Sequence, residues 1–449
     1  MLSRSTPRVP GASKQITANF DKTVRRMLGI HQVSQEIRTP WHILRGNSGF
    51  RWYFLGSVTS DYGTWLQNTA QVLLVYQLAH SLFTVGLVTF AQFTSPLVLG
   101  PWAGVAADKF GGRCTLLFTQ TVSAMVAAML ASLDFAGLMT PNVLVLGAII
   151  SGLAFTFALP ARNITVQRLV PAQKLKAAYA MDSVSYNIGR AMAPVLTMAM
   201  AGTGISFGWA FAMNAVSFIA FSVILLRVHM HAEPEPERRS RVQDGFRIAI
   251  KDRRILILLL MVAAVTVADD PILVLGQALA KQLHAPTVSA SWFIAAFGAG
   301  TVIGSFRRSK HQPTPRLAAT ALAALALYML LFVHAPTMWM GVTAALGAGA
   351  SCLVANSVTR AALAEYAGPK NSAAVMAVWA IAWAGSKPFA SLLDGALGNT
   401  IGTQWTGLVL AIPALIPLLM IMMEPRFGFW AKYLRVTPVR SLVTRNVRN

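Results

Sequence analysis

From Trp52 onward the chain repeats apolar runs of about 20 residues, the length an α-helix needs to cross the hydrocarbon core of a bilayer. The runs fall near 52–78, 83–106, 114–133, 142–160, 177–200, 207–228, 254–280, 287–306, 316–334, 338–357, 372–394 and 404–423. Lipid offers no partner to a backbone N–H or C=O, so such runs can only fold as helices or a closed barrel, and runs of this length read as helices. About twelve of them predict an all-α membrane protein. Only 12% of the 449 residues are charged and 55% are hydrophobic, whereas a globular domain carries about 25% charged residues.

The net charge is +22. On a soluble chain that would point to nucleic acid; on a membrane chain it points to Lys and Arg held on one side of the bilayer. Bases follow the even-numbered runs: Lys109 and Arg113; Arg162, Arg168, Lys174 and Lys176; Arg238 to Arg254; Arg307, Arg308, Lys310 and Arg316; Arg360 and Lys370. The opposite loops hold almost none, Lys281 being the clear case. The positive-inside rule then places both termini in the cytoplasm, and the expected location is a bacterial inner membrane.

The expected division is a basic arm over 1–50, a six-helix half over 51–228, a linker over 229–253, a second six-helix half over 254–423 and a basic tail over 424–449. The arm lacks the apolar run of a secretory signal. It reads as a solvated cytoplasmic segment, as one lying on lipid through Ile16, Phe20, Val24, Met27 and Leu28, or, from its Ser and Arg content, as an organelle transit peptide. The halves echo each other. Gly300, Gly304 and Arg308 repeat Gly100, Gly104 and Asp108 at an offset of 200, and Arg162 stands nine residues before Pro171 as Arg360 does before Pro369. Two cysteines, Cys114 and Cys352, give neither a disulfide framework nor a metal spacing. No Gly-Lys pair occurs, which excludes an ATP-binding P-loop. No nucleophile elbow or catalytic constellation is visible. No enzyme, metal or cofactor is therefore expected, nor nucleic acid as a partner.

The connection after the second run reads Gly100-Pro101-Trp102-Ala103-Gly104-Val105-Ala106-Ala107-Asp108-Lys109-Phe110-Gly111-Gly112-Arg113. Gly100, Gly104 and Asp108 lie four apart, on one helix face, and two such glycines allow another helix to approach closely. The pattern Gly104, Asp108, Lys109, Gly111, Arg113 resembles the signature between the second and third helices of the major facilitator superfamily. That resemblance implies two pseudo-symmetric six-helix halves with a midplane site between them. Asp108 then reads as a latch at the membrane surface rather than a substrate ligand.

The first run resembles the efflux branch of that superfamily that includes macrolide exporters and the enterobactin exporter. The matching residues are Phe54-Leu55-Gly56, Ser60-Asp61-Tyr62-Gly63-Thr64-Trp65-Leu66-Gln67 and Leu74-Val75-Tyr76-Gln77-Leu78. The branch commonly has its acid after the Gly, where this chain has Thr64; Asp61 stands three residues earlier, about one turn away. Further matches are Gly86-Leu87-Val88, Gln92 and Pro96, then Pro160-Ala161-Arg162, Leu169-Val170-Pro171, and Asn187-Ile188-Gly189-Arg190. Ala193 stands where the family usually has Gly before Pro194.

Charges inside spans are costly and rare, so they are the default site candidates. Asp61 falls near the bilayer midplane, roughly 14 Å along its helix, and Asp269 and Asp270 about 21–24 Å along theirs. All eight His residues lie in tails, loops or span ends, which leaves the aspartates to carry protons. Asp61 could instead only bond Ser60, Gln67 or a neighbouring helix, and the Asp269–Asp270 pair could face extracellular water. Arg190 and Lys387 are the buried cations; Arg190 could pair with a cavity aspartate, and Lys387 with Asp394 seven residues on. Asp182 reads as solvated. Trp65, Gln67, Gln71, Phe155, Phe157, Met181, Tyr186, Trp379 and Trp383 are cavity candidates, each of which could equally be packing.

The expected function is secondary transport: proton-coupled export of one small hydrophobic or amphipathic compound, a drug or siderophore, by a monomer in contact with membrane lipid. A lysophospholipid flippase of the same fold, and a non-transporting receptor or scaffold, are the alternatives.

Overall fold

The computed structural model describes residues 43–171, 174–230, 242–308 and 315–422. The arm before residue 43, the segment 231–241 and the tail from 423 lie outside them. Among the described residues the elements are helical. They are α1 Ser48–Ala79, α2 Leu82–Phe110, α3 Gly112–Phe135, α4 Pro141–Leu169, α5 Leu175–Gly202, α6 Gly208–Arg227, α7 Val242–Lys251, α8 Arg253–Asp269, α9 Pro271–Val274, α10 Gly276–Gln282, α11 Ala290–Arg308, α12 Pro315–Val333, α13 Met338–Thr400 and α14 Gly402–Met422. Gly368 (φ 68°) breaks α13 into a first arm, 338–367, and a second arm, 369–400. Counting the arms separately gives twelve long helices. Eight stretches are long and apolar enough to span a bilayer on length and composition alone.

Local sequence explains the boundaries. Asn47, Ser81, Thr140 and Thr337 cap α1, α2, α4 and α13 by accepting the N–H three residues on. His80 (φ 50°), Gly111 (φ 81°) and Gly402 (φ 82°) turn the chain between helices. The run expected as one helix over 254–280 is interrupted instead. Pro271 has no N–H for the ladder and disfavours helix at the residue before it, so α8 stops at Asp269 and the acid pair sits at the break. Pro160 has the opposite outcome. It was expected to end the fourth run, yet α4 continues to Leu169. Helices in membranes tolerate proline where neighbours satisfy the freed backbone.

Large apolar side chains face outward, as lipid contact requires: Trp102, Val105, Phe118, Leu138, Val216, Leu260, Trp339 and Trp405 are more than half exposed. Small residues bring helices together inside. A Cβ on Gly86 would stand 2.2 Å from the Ser391 carbonyl oxygen, and one on Gly300 2.0 Å from that of Leu346. Such contacts zip α2 along the second arm of α13. They start where Asn399 Oδ1 accepts from Leu82 N and its Nδ2 donates to Ser81 Oγ, both at 2.9 Å. They continue through Gly86–Ser391 and Phe90–Phe389 to Leu97–Gly385. One turn beyond Leu97, a Cβ on Gly100 would meet open space. In parallel, α5 meets α11 at Gly298–Ala191, and Thr301 Oγ1 donates to Asn187 Oδ1 at 3.0 Å. Within the expected linker, α7 packs on α13, with Gly245 against the Ala374 carbonyl oxygen.

Candidate functional site

Two clusters of buried charge lie within the helices. The first joins α1, α4 and α5. Arg162 Nη1 donates to Asp61 Oδ1 at 2.7 Å and Nη2 to Asp61 Oδ2 at 3.1 Å, a bidentate pair. The same Nη2 reaches Asp182 Oδ1 at 3.0 Å and donates to Ser57 Oγ. Ser185 Oγ donates to Asp61 Oδ2 at 2.5 Å. Asp61 therefore bonds neither Ser60 nor Gln67; Ser60 Oγ lies 3.5 Å from Gln120 Nε2. Asp182 is half-buried and ion-paired rather than solvated.

The second cluster joins α5, α8 and the second arm of α13. Arg190 Nη2 lies 3.6 Å from Asp269 Oδ2, and Lys387 Nζ 3.9 Å from Asp270 Oδ1. Asp270 and Asp394 are buried, and Asp269 nearly so, which removes the reading that the pair faces water. Lys387 does not take Asp394 as its partner. Seven residues are about 10 Å along a helix axis, whereas Asp270 stands opposite Lys387. Asp394 is instead enclosed one helical turn beyond Ser391, whose Oγ donates to Asp270 Oδ2. Cys352 Sγ lies 3.7 Å from Asp269 Oδ2.

Aromatic rings separate the clusters. The Arg190 guanidinium carbon is 4.4 Å from the Phe297 ring centroid and 5.2 Å from that of Trp65. Trp65 meets Tyr186 edge-on at 5.4 Å. A cavity of about 80 Å³ opens beside Asp61, lined by Trp65, Phe155, Tyr186, Phe218 and Arg162 and by the amides of Gln67, Asn68, Gln92, Gln120 and Asn214. The lining carries more amides than the mostly aromatic set of candidates read from the sequence. Gln67 Oε1 accepts from Asn214 Nδ2 at 2.8 Å. Gln71 donates to the Leu144 carbonyl at 2.7 Å, a packing role between α1 and α4. Trp379 and Trp383 stack at 6.2 Å beneath Arg360 and line neither this cavity nor a smaller one at Arg190 and Asp270. Met181 is buried among Phe50, Tyr53 and Phe221.

The Gly100–Arg113 stretch ends α2 and starts α3. Gly111 (φ 81°) makes the corner in a conformation only glycine adopts readily. Arg113 Nη2 donates to the Leu226 carbonyl of α6, Lys109 lies over the Phe110 ring, and Asp108 is exposed. The expected close approach at Gly100 is not formed. In the second group it is: Gly300 and Gly304 both press on the first arm of α13, at Leu346 and Ala350, and Arg308 closes α11.

Sequence reasoning missed Arg162, Ser57, Ser185, Ser391 and Cys352 as members of these clusters. Arg162 had a usable signal: apolar residues continue past Pro160 to Val170, so the span need not end there.

Comparison with known proteins agrees with this architecture. The nucleoside transporter NupG superposes with a TM-score of 0.67 at 14% identity, covering 84% of this chain and 99% of NupG. A bacterial homolog of the human lysosomal transporter Spinster, inward-facing and unoccupied, gives 0.60 at 14% identity, covering 82% and 92%. The Staphyloferrin A transporter of Staphylococcus aureus is 25% identical over 224 residues, 48% of this chain and 55% of that one. The multidrug resistance protein MdtD of Citrobacter koseri is 29% identical over 154 residues, 34% of this chain and 31% of MdtD. The chain thus aligns with about half the length of the first relative and a third of the second. The model of the transmembrane secretion effector family, MFS_3, matches residues 38–432. This chain, an integral membrane protein with twelve long helices among its described residues, belongs to that family of major facilitator transporters.

Proposed function

We propose that the chain is a proton-coupled exporter of a small amphipathic, hydrogen-bonding compound, a siderophore or a drug, working by alternating access. The observation that carries this reading is the cavity beside Asp61, because it joins aromatic faces, five amides and an ionisable carboxylate on one wall. Aromatic faces with a few placed polar groups suit an amphipathic ligand, and at about 80 Å³ the space takes only part of one until the helices separate. The names of the two relatives, one a siderophore transporter and one a multidrug resistance protein, support the substrate classes, and the amide-rich lining favours the siderophore.

In this mechanism Asp61 alternates between Arg162 and a proton. Protonation removes its charge and leaves the guanidinium to Asp182, so α1 loosens from α4 and α5 as substrate leaves. The zip from Ser81 to Leu97 closes one end, and the open space at Gly100 lies toward the other. By the positive-inside rule that other end is cytoplasmic, both termini are cytoplasmic, and the conformation is inward-facing. The location is a bacterial inner membrane, the working unit a monomer in contact with lipid. The two halves over 51–228 and 254–423 rock about the α2–α13 and α5–α11 contacts.

The test is accumulation of labelled siderophores and drugs in an efflux-deficient host, with and without a protonophore. Export that the protonophore abolishes and Asp61→Asn removes is expected. Full proton-driven efflux by Asp61→Asn would refute the role of Asp61, and no effect of the chain on any compound would refute export.

A further inference from the structure

The second cluster is unbalanced. Three carboxylates, Asp269, Asp270 and Asp394, face two cations, Arg190 and Lys387, and Asp270 and Asp394 are fully enclosed. Arg190 is engaged by Asp269 at 3.6 Å and Lys387 by Asp270 at 3.9 Å. Neither oxygen of Asp394, nor Asp270 Oδ1, has a conventional donor among the described residues. A buried carboxylate without a counter-charge or donor is among the costliest groups a fold can hold. The cluster therefore needs one more positive charge.

The other facing groups do not supply it. Cys352 approaches Asp269 as a thiol at 3.7 Å, and Tyr186 and Trp65 flank Arg190. Gln277 is a buried amide, and α9 and α14 carry no ionisable residue. Along α2, Phe93 offers Lys387 only its ring, at 5.0 Å, and Leu82 to Ala107 contains no ionisable side chain. The space beside Arg190 and Asp270 is about 20 Å³, room for a single water.

We propose that Asp270 and Asp394 share one exchangeable proton, forming a second proton site that is separate from Asp61 and Arg162. The proton sits on one carboxyl and is donated to the other, because two neighbouring enclosed carboxylates cannot both stay ionised beside one lysine. Ser391 Oγ, donating to Asp270 Oδ2, orients the pair. When the proton leaves, Lys387 is the cation that faces the pair among the described residues. At 3.9 Å from Asp270 it balances one of the two acids and not both. The use of this proton in coupling rests on the export reading above; its presence does not.

The experiment is pH-stepped infrared difference spectroscopy of the full-length protein in nanodiscs, without substrate. A protonated-carboxyl C=O band is expected that fades as pH rises and shifts in D2O. Asp394→Asn and Asp270→Asn should each remove it, and Asp61→Asn should leave it. Should the asparagine variants fail to fold, Ser391→Ala serves, and the band should move in frequency. Absence of the band in the wild type, or its persistence unchanged in these variants, overturns the proposal. Loss of the band on adding sodium at fixed pH also overturns it, in favour of a sodium site. An export assay that fails while the band behaves as expected would refute transport and leave the proton site standing.

Discussion

Arg162 Nη1 stands 2.7 Å from Asp61 Oδ1, with the Asp61 side chain 6% and the Arg162 side chain 18% exposed. A partnered charge at that depth is tolerable; removing one partner is not. Arg162→Gln should destabilise the protein by about 3–5 kcal/mol, the usual cost of leaving one buried charge behind. The double variant Asp61→Asn/Arg162→Gln should cost clearly less than the sum of the singles, because the pair is removed together. Denaturation in detergent, followed by circular dichroism, measures both. Additive losses would show that the two groups do not depend on each other.

Geometry separates two glycines that look alike in sequence. A Cβ on Gly86 falls 2.2 Å from a backbone oxygen of the second arm of α13, where nothing can yield, while one on Gly100 meets open space. Gly86→Ala should therefore prevent the closed contact near Ser81 and Asn399. A cysteine pair at those two positions, in a background lacking Cys114 and Cys352, should cross-link readily in the parent and poorly with Gly86→Ala. Gly100→Ala should cross-link like the parent and change stability by less than about 0.5 kcal/mol.

The same two glycines show what was legible in the chain. Run length and the position of bases carry the helix count, because a bilayer fixes both. Small residues four apart mark a possible contact, but not whether a partner helix occupies it: Gly300 has one and Gly100 does not. The rare buried charges Asp61, Asp269, Asp270, Arg190 and Lys387 stand out in sequence, while their partners do not. Pairing Lys387 with Asp270 rather than Asp394 depends on how the second arm of α13 is rotated against α8. Arg162 was hidden by the habit of ending a helix at proline, a rule drawn from water-soluble helices. Asp270 shows the converse, since Pro271 does interrupt its helix.

At the corner between α2 and α3, Gly111 has φ 81° and ψ 146°. That region is almost closed to residues with a Cβ, so Gly111→Ala should cost about 1–3 kcal/mol, read as a lowered unfolding midpoint. Its neighbour Asp108 is exposed and is expected to act in the transition rather than in binding. Asp108→Asn should slow transport with substrate affinity nearly unchanged. A large loss of binding with normal turnover would show that Asp108 is no latch.

Arg190 tests whether the contact between α5 and α8 is held by charge alone. Its guanidinium lies 3.6 Å from Asp269 and also stacks near Phe297 and Trp65 at 4.4 and 5.2 Å. Lysine keeps the charge but loses the planar face and the fork of donors. Arg190→Lys should thus lose about 0.5–2 kcal/mol, the range of a cation–π contact, and keep part of the export proposed above. Arg190→Gln strands Asp269 and should cost about 3–5 kcal/mol. Adding Asp269→Asn should recover most of that stability, because no buried charge is then left without a partner. Export should not recover with it. If the double variant transported normally, the pair would be a strut between two helices, and the charge across α5 and α8 would have no part in the cycle.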